Sequence, residues 1–174
     1  HLTAASSATG RLTKLRASIN ERGLIEALDY DQIDDVGAYP RAPEPASLYR
    51  MHGNLSGAYK VKNISCRNRV VLTNKTPSGL NRGFGGPQHY FALERLVHQI
   101  AVELNLNVLD VIKVNLLEKK QFPYKSPSGA LLDSGDFQKL VRKVVKSSTY
   151  KNILKKKNDA IKNGKIYGLS LIHI

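Results

Sequence analysis

Alternating apolar and polar residues predict β-strands in the first part of the chain. Residues 13–19 and 24–30 both alternate, and Glu21-Arg22-Gly23 separates them, so we expect a β-hairpin. A loop follows, marked by Pro40, Pro43 and Pro45. Residues 48–55 fit a short helix, and residues 59–73 are again rich in strand formers, which predicts a further strand.

Apolar residues at three- and four-residue spacing predict helices later in the chain. The first begins at Pro87, which suits an initial helical position, and has an apolar stripe of Leu93, Leu96, Val97, Ile100, Ala101 and Leu104. Asn107 is expected to cap a second helix and Ser134 a third. A fourth, lysine-rich helix is expected over residues 150–162, ended by Asn163-Gly164. The predicted fold class is α+β, with β-strands followed by a glycine-rich loop and helices.

Residues 121–134 are rich in turn formers, among them Pro123, Pro127 and Gly129. We place a subdomain boundary at the start of this stretch, which divides the chain into residues 1–120 and 121–174. A strand is expected to open at residues 166–171.

The charge is strongly positive, with a formal net charge of +13 in 174 residues. Such a balance raises the possibility of a basic nucleic-acid-binding module. Much of the excess, however, lies in one late run: Lys139, Arg142, Lys143, Lys146, Lys151, Lys155, Lys156, Lys157, Lys162 and Lys165. A run of this kind is more often the solvated face of a surface helix, and nucleic acid is therefore the alternative rather than the preferred partner.

Several classes of protein and site are disfavoured by what the chain contains. No apolar run approaches the roughly 20 residues needed to span a bilayer, so no membrane partner is expected and the predicted location is cytoplasmic. The single cysteine, Cys66, has no companion ligands and is expected to be a strand residue. His52, His89 and His98 lack metal-ligand spacing, and no residue is assigned to a metal.

The segment Asn81-Arg-Gly-Phe-Gly-Gly-Pro-Gln88 lies between an apolar strand and a strong helix. Glycines let a backbone approach a ligand closely, a helix N-terminus attracts negative charge, and Arg82 adds a cation. The segment fails as a Rossmann fingerprint, because Gln88 stands where a third glycine is needed, and it lacks the ending of a Walker loop. On this evidence alone, a plain tight connection explains it equally well.

A family resemblance changes that balance. Residues 72–88 resemble the signature of the large-subunit family of xanthine dehydrogenase, aldehyde oxidase and carbon monoxide dehydrogenase. The similarity continues, in the same order, through residues 24–39, 57–63, 91–95, 101–106, 111–116, 122–129 and 133–137. It covers roughly residues 10–170, and the chain is identified as an internal fragment of such a subunit.

The resemblance implies a molybdopterin-dependent hydroxylase that oxidises an aldehyde or an N-heterocycle, with water as the oxygen source. It implies molybdopterin, as such or as its cytosine dinucleotide, in this subunit. It also implies a partner subunit that carries FAD and a small partner subunit that carries [2Fe-2S] clusters. The residues expected to contact the cofactor are Arg82, Gly83, Gly85, Gly86 and Gln88. Phe84 and Arg50 are expected to contact the small-molecule substrate.

The family also needs segments that this chain lacks. Its general-base glutamate lies in a glycine-rich segment near the C-terminus, and no such segment occurs in these 174 residues. No catalytic residue is therefore assigned, and the fragment alone is expected to be inactive. The absence of an initial methionine and the adapter-like final residues fit a chain cut from a longer one.

Overall fold

The computed structural model describes residues 10–41, 52–79, 83 and 85–168. A three-stranded sheet is formed by β1 (Gly10–Ile19), β2 (Ile25–Asp35) and β3 (Asn63–Val71), in the order β1-β2-β3. β1 pairs with β2 antiparallel and β3 pairs with β2 parallel, so that Leu15, Tyr30 and Cys66 lie side by side. Cys66 is confirmed as a strand residue, and it is exposed on β3.

Within the described residues, four helices follow the sheet: α1 (Gly86–Glu103), α2 (Val108–Asn115), α3 (Phe137–Lys146) and α4 (Ser148–Lys162). Two 3₁₀ turns, at His52–Asn54 and Lys119–Gln121, and a short hairpin of β4 (Tyr124–Lys125) and β5 (Leu131–Leu132) complete the described elements. The α+β prediction is confirmed. Among the described helices, none has the length and apolar content that crossing a membrane requires.

The core lies between the sheet and α1. The predicted stripe of α1 buries Leu93, Val97, Ile100 and Ala101, which join a cluster with Ile25, Leu28 and Tyr30 of β2. The stripe of α2 adds Val111. On α4, by contrast, Lys151, Lys155, Lys156 and Lys162 are exposed, as expected for a solvated helix face.

The predicted hairpin is confirmed, although β2 runs five residues beyond the alternating stretch. Asn20 Oδ1 accepts the backbone N–H groups of Arg22 and Leu24, which shapes the turn. β2 continues to Asp35 with Gln32 and Asp34 fully buried, which a hydrophobic pattern does not anticipate.

The predicted helix ends were right in two cases and wrong in one. Asn107 Oδ1 accepts the N–H of Leu109 and caps α2. Asn163 is the C-cap of α4, and Gly164 follows it at a φ of 68°. Ser134 does not cap α3, because Asp136 Oδ1 accepts the N–H of Lys139 instead.

Two other predictions fall partly outside the described residues. Of the short helix predicted over 48–55, residues 52–54 form a 3₁₀ turn and residues 48–51 are not described. Of the strand predicted over 166–171, residues 166–168 are irregular and the remainder is not described. The division of the chain at residue 120 stays a prediction.

A buried asparagine joins α2 to the β1–β2 hairpin. The Asn115 Oδ1 atom accepts the N–H of Ile25 at 2.8 Å, and its Nδ2 group donates to the carbonyl oxygens of Gly23 and Val111, each at 2.8 Å. The side chain is 1% exposed, so its amide satisfies backbone groups that water does not reach. Asn115 thereby fixes the end of α2 against the start of β2.

We expect Asn115→Ala to lower the free energy of unfolding by about 2–4 kcal/mol, because it leaves buried backbone groups without partners. Urea denaturation measures the loss. The matched control is Asn158→Ala on the exposed face of α4, expected to change the free energy by less than about 0.5 kcal/mol. An equally small effect at Asn115 would contradict the structural role of its amide.

Candidate cofactor-binding loop

The chain leads toward the glycine-rich segment through a turn that is hydrogen bonded to the residues at the end of β2. Val36 N–H donates to Val71, Thr73 N–H to Gly37, Ala38 N–H to Lys75, and Ser78 N–H to Val36, at 2.9–3.1 Å. Residues 36–38 and 71–78 therefore run together as a backbone-paired unit. Residue 79 is the last described residue before the glycine-rich segment, so this unit holds the described part of the chain that leads into it.

Gly37 makes the close approach possible. Its φ is 78°, and a Cβ atom there would lie 2.5 Å from the carbonyl oxygen of Thr76 and 2.8 Å from Cα of Pro77. Both contacts are with backbone atoms, which cannot turn away as a side chain can. Only glycine fits this position without displacing residues 76–77.

Asp35 holds the same turn from its side chain. Its carboxylate accepts from Lys75 Nζ, from Thr73 Oγ1 and from the N–H of Gly37. These partners, Lys75 first, lower the pKa of Asp35 to about 2. The carboxylate thus stays ionised and keeps its contacts throughout the neutral range.

Three of the predicted loop glycines belong to the described residues. Gly83 is exposed at a φ of 89°, and its carbonyl oxygen accepts the N–H of Gly86 at 2.9 Å. Gly85, at a φ of 83°, is the N-cap of α1 and provides no side-chain capping bond. Gly86 opens the helix and is buried. Arg50, Arg82 and Phe84 lie outside the described residues.

The start of α1 is anchored by His89. The imidazole is fully buried, its Nε2 atom lies 2.9 Å from the carbonyl oxygen of Leu55, and the ring stacks on Tyr30 with centroids 5.0 Å apart. Tyr30 Oη donates to the same carbonyl oxygen at 3.0 Å. Burial lowers the pKa of His89, so the neutral ring, with its hydrogen on Nε2, suits this acceptor.

The three-stranded sheet contains a network of polar side chains near the end of β2. Arg11 of β1 makes a two-pronged pair with Asp34 of β2, at 2.5 and 2.8 Å, and both side chains are almost fully buried. Asn68 of β3 donates to the same carboxylate at 3.3 Å, and Gln32 Nε2 donates to Thr13 at 3.4 Å. A buried ion pair is tolerated where both partners are held and further hydrogen bonded, as in this sheet.

A cleft of about 460 Å³ opens between β1 and the first half of α1. Its lining includes Thr13, Leu15, Gln88, Phe91, Arg95 and Leu96. Gln88 Oε1 and His89 Nδ1 are buried and have no hydrogen-bond partner in the part of the chain that the structure describes. Among those residues there is also no cluster of His, Cys, Asp or Glu able to hold a metal ion.

This arrangement suits a polar organic group better than a bare cation. Because the N-cap residue of α1 is a glycine, a ligand can approach its backbone closely. The backbone N–H groups of the first turn have no side-chain cap, so they favour a negatively charged group. Gln88 has a buried acceptor that still needs a donor from outside the described residues. A pterin has ring N–H donors and phosphate oxygens, so the residues present fit such a group.

Sequence reasoning missed the residues that hold together the elements around the loop. Asn115, Gly37 and the pairing of His89 with Tyr30 have no motif of their own. Gly37 did lie inside Asp35-Val-Gly-Ala-Tyr39, one of the segments that carried the family resemblance. A glycine between two strand-like stretches was the local signal that could have pointed to it.

Comparison with known proteins decides the family. A family model described as the molybdopterin cofactor-binding domain matches residues 1–116, which include the loop and the whole of α1 and α2. The chain belongs to this family. This match confirms the resemblance that was found in the sequence.

Relatives of this molybdopterin cofactor-binding domain are much longer proteins. The carbon monoxide dehydrogenase large chain of Hydrogenophaga pseudoflava is 30% identical over 134 residues, which is 74% of this chain and 16% of the relative. The nicotine 6-hydroxylase large subunit of Paenarthrobacter nicotinovorans is 24% identical over 98% of this chain and 21% of its own length. The chain therefore spans about a fifth of these relatives.

Solved structures agree on the fold. Quinoline 2-oxidoreductase from Pseudomonas putida 86 superposes with a TM-score of 0.83 over 94% of this chain and 21% of that one, at 24% identity. The chain thus has the fold of a segment of quinoline 2-oxidoreductase.

We expect Gly37→Ala to lower the free energy of unfolding by at least about 3 kcal/mol, because left-handed strain adds to a clash with the Thr76 backbone. Gly164→Ala is the matched control: its φ is 68°, but no described atom lies within 4 Å of the added Cβ. The control should lose only about 1 kcal/mol from backbone strain. Equal losses in urea denaturation would show that the close approach at Gly37 does not matter.

His89 should make stability depend on pH. Because burial lowers the pKa of His89 in the folded chain, the unfolded chain takes up this proton first as the pH falls. The free energy of unfolding should therefore fall as the pH drops below about 6.5 toward the lower folded pKa. Denaturation at a series of pH values from neutral downward should show this fall for the unmodified chain.

His89→Gln should remove that fall, and His98→Gln, at an exposed position of the same helix, should retain it. The fall would have another origin if it persisted in His89→Gln or vanished in His98→Gln.

Proposed function

We propose that this chain is part of the large subunit of a molybdopterin-dependent hydroxylase that oxidises an aldehyde or an N-heterocycle. The observation that carries the proposal is the glycine-rich start of α1, which His89 anchors to the carbonyl oxygen of Leu55. It lies within a domain whose family binds molybdopterin. A relative named for nicotine hydroxylation and a neighbour named for quinoline oxidation support an N-heterocycle as one substrate class.

In this proposal, Arg82, Gly83, Gly85, Gly86 and Gln88 hold the cofactor. The glycines let the backbone lie against the pterin, Gln88 Oε1 accepts one of its N–H groups, and Arg82 pairs with its negative charge. Molybdopterin, when bound, supplies the two-electron chemistry, with water as the oxygen source. The chain's own task is to fix the cofactor and to exclude water from the loop.

Phe84 and Arg50 are proposed to contact the substrate, Phe84 as an aromatic wall and Arg50 as an orienting cation. No residue of this chain is proposed to act in proton transfer. The described carboxylate nearest in sequence to the loop, Glu94, accepts from Tyr59 Oη at 2.9 Å and serves the fold. The general base is proposed to lie elsewhere in the longer subunit.

Further subunits are proposed to complete the enzyme. Separate subunits would carry FAD and [2Fe-2S] clusters and remove the electrons, in a cytoplasmic complex. A relative named as subunit gamma of a dehydrogenase complex supports a multi-subunit enzyme. The cofactor is proposed to be molybdopterin or its cytosine dinucleotide, and the chain to divide into units at residues 1–120 and 121–174.

The test is the molybdenum content of the full-length subunit purified from cells that make the cofactor. Arg82→Ala and Gln88→Leu should each weaken molybdenum retention by about 10- to 100-fold, as removal of supporting contacts does at other metal centres. Arg22→Ala, in the exposed β1–β2 turn, should leave the content unchanged. Elemental analysis measures the metal, and circular dichroism checks that each variant is folded.

Unchanged molybdenum in both loop variants would refute the assignment of the loop to the cofactor. The 174-residue chain alone should not turn over any aldehyde, because it has no proposed base. Turnover by the isolated chain would contradict the placement of the general base elsewhere in the longer subunit.

A further inference from the structure

The outer edge of β1 has no partner strand among the described residues. β1 is ten residues long and stands at the end of the sheet, so about half of its N–H and C=O groups point away from β2. A long, open edge of this kind is a template for another strand, and proteins normally cover or disrupt it. β1 contains no proline, and its irregularity lies at Ser18 and Ile19, at its far end.

The cleft between β1 and α1 runs beside this edge; Gln88 stands at its end nearest the loop, and the peptide groove is the remainder. Leu15 of β1 and Phe91 and Leu96 of α1 line it, and Phe91 is 74% exposed although it stands on the helix that forms the core. An open strand edge next to an apolar cleft is the geometry by which proteins bind extended peptides. The edge supplies backbone hydrogen bonds and the cleft receives alternate side chains.

The charged residues of the cleft indicate which kind of segment would bind there. Arg95 lines it, is exposed, and makes no ion pair with the described carboxylates. Arg11, at the other wall, is already paired with Asp34. An occupant with a carboxylate beside an apolar side chain would satisfy both Arg95 and Phe91.

We propose that the cleft between β1 and α1 docks an extended, acidic and apolar segment of the same large subunit, which adds a strand to β1. The inference rests on the proposed function, since relatives are about five times longer than this chain and thus have the polypeptide to supply such a segment. A second copy of this chain is the poorer occupant. Two copies would each carry a net charge of +13 and would therefore repel one another.

The probes are short overlapping peptides that tile the Hydrogenophaga carbon monoxide dehydrogenase large chain outside its matched segment, added to the 174-residue chain. A small set of acidic, apolar peptides should bind, as measured by fluorescence anisotropy. On binding, the outward N–H groups of β1 should gain protection from hydrogen exchange, because they acquire strand partners.

Phe91→Ser and Arg95→Glu should each weaken binding by about tenfold or more, since each removes a contact at the centre of the groove. Val102→Ser is the matched apolar control, because Val102 is 72% exposed on the same helix and lies outside the cleft. Arg22→Glu is the matched charge control. Both controls should bind as the unmodified chain does.

The proposal is overturned if no peptide binds, if binding leaves the β1 amides unprotected, or if the controls lose as much affinity as the two cleft variants. It is also overturned if the chain alone forms a dimer that protects the same amides. These results are independent of the loop test. Loss of molybdenum in Arg82→Ala without any peptide binding would uphold the proposed function and reject the groove.

Discussion

The carbonyl oxygen of Leu55 holds the start of α1, at which the glycine-rich loop ends. It lies within hydrogen-bond distance of Tyr30 on the central strand and His89 in the first turn of α1, so one buried atom joins the sheet, residues 52–59 and the helix start. Each bond contributes only about 0.5–1.5 kcal/mol to net stability. Their larger effect is geometric, because α1 cannot shift without leaving the buried Nε2–H group of His89 without its acceptor.

Two different kinds of contact hold the described residues on either side of the loop. On the N-terminal side, backbone pairing around Gly37 fixes residues 71–78, and this requires the absence of a side chain. On the C-terminal side, the stacked ring of His89 fixes α1, and this requires a side chain of one shape. Binding segments are most precise when rigid elements hold both ends, because less conformational entropy is then lost on binding.

Local sequence patterns predicted the elements but not what holds them together. The spacing of Leu93, Val97 and Ile100 was enough for α1, since a helix face is a property of neighbouring residues. The role of Asn115 could not be predicted from local patterns, because its side chain accepts a hydrogen bond from Ile25, 90 residues earlier in the chain. Ser134 and Asp136 are equally good caps in isolation; packing of Phe137 against Phe122, with ring centroids 5.6 Å apart, fixes where α3 begins. The family resemblance located the loop, which periodicity alone left undecided.

Polarity along β2 changes in the direction of the loop. Its inward face runs from Leu28 and Tyr30 to Gln32 and Asp34, so the end near the hairpin is an ordinary core and the end near the loop is a hydrogen-bonded network. Buried atoms of Gln32, Ser78, Gln88 and His89 that find no partner within the described ranges belong to this second end. Each such atom costs about 1–3 kcal/mol when no donor or acceptor reaches it, and an apolar core would avoid that cost. The proposed function accounts for this cost, because a cofactor with many hydrogen-bonding atoms would supply partners to such buried polar atoms, whereas an extended apolar face would not bind it.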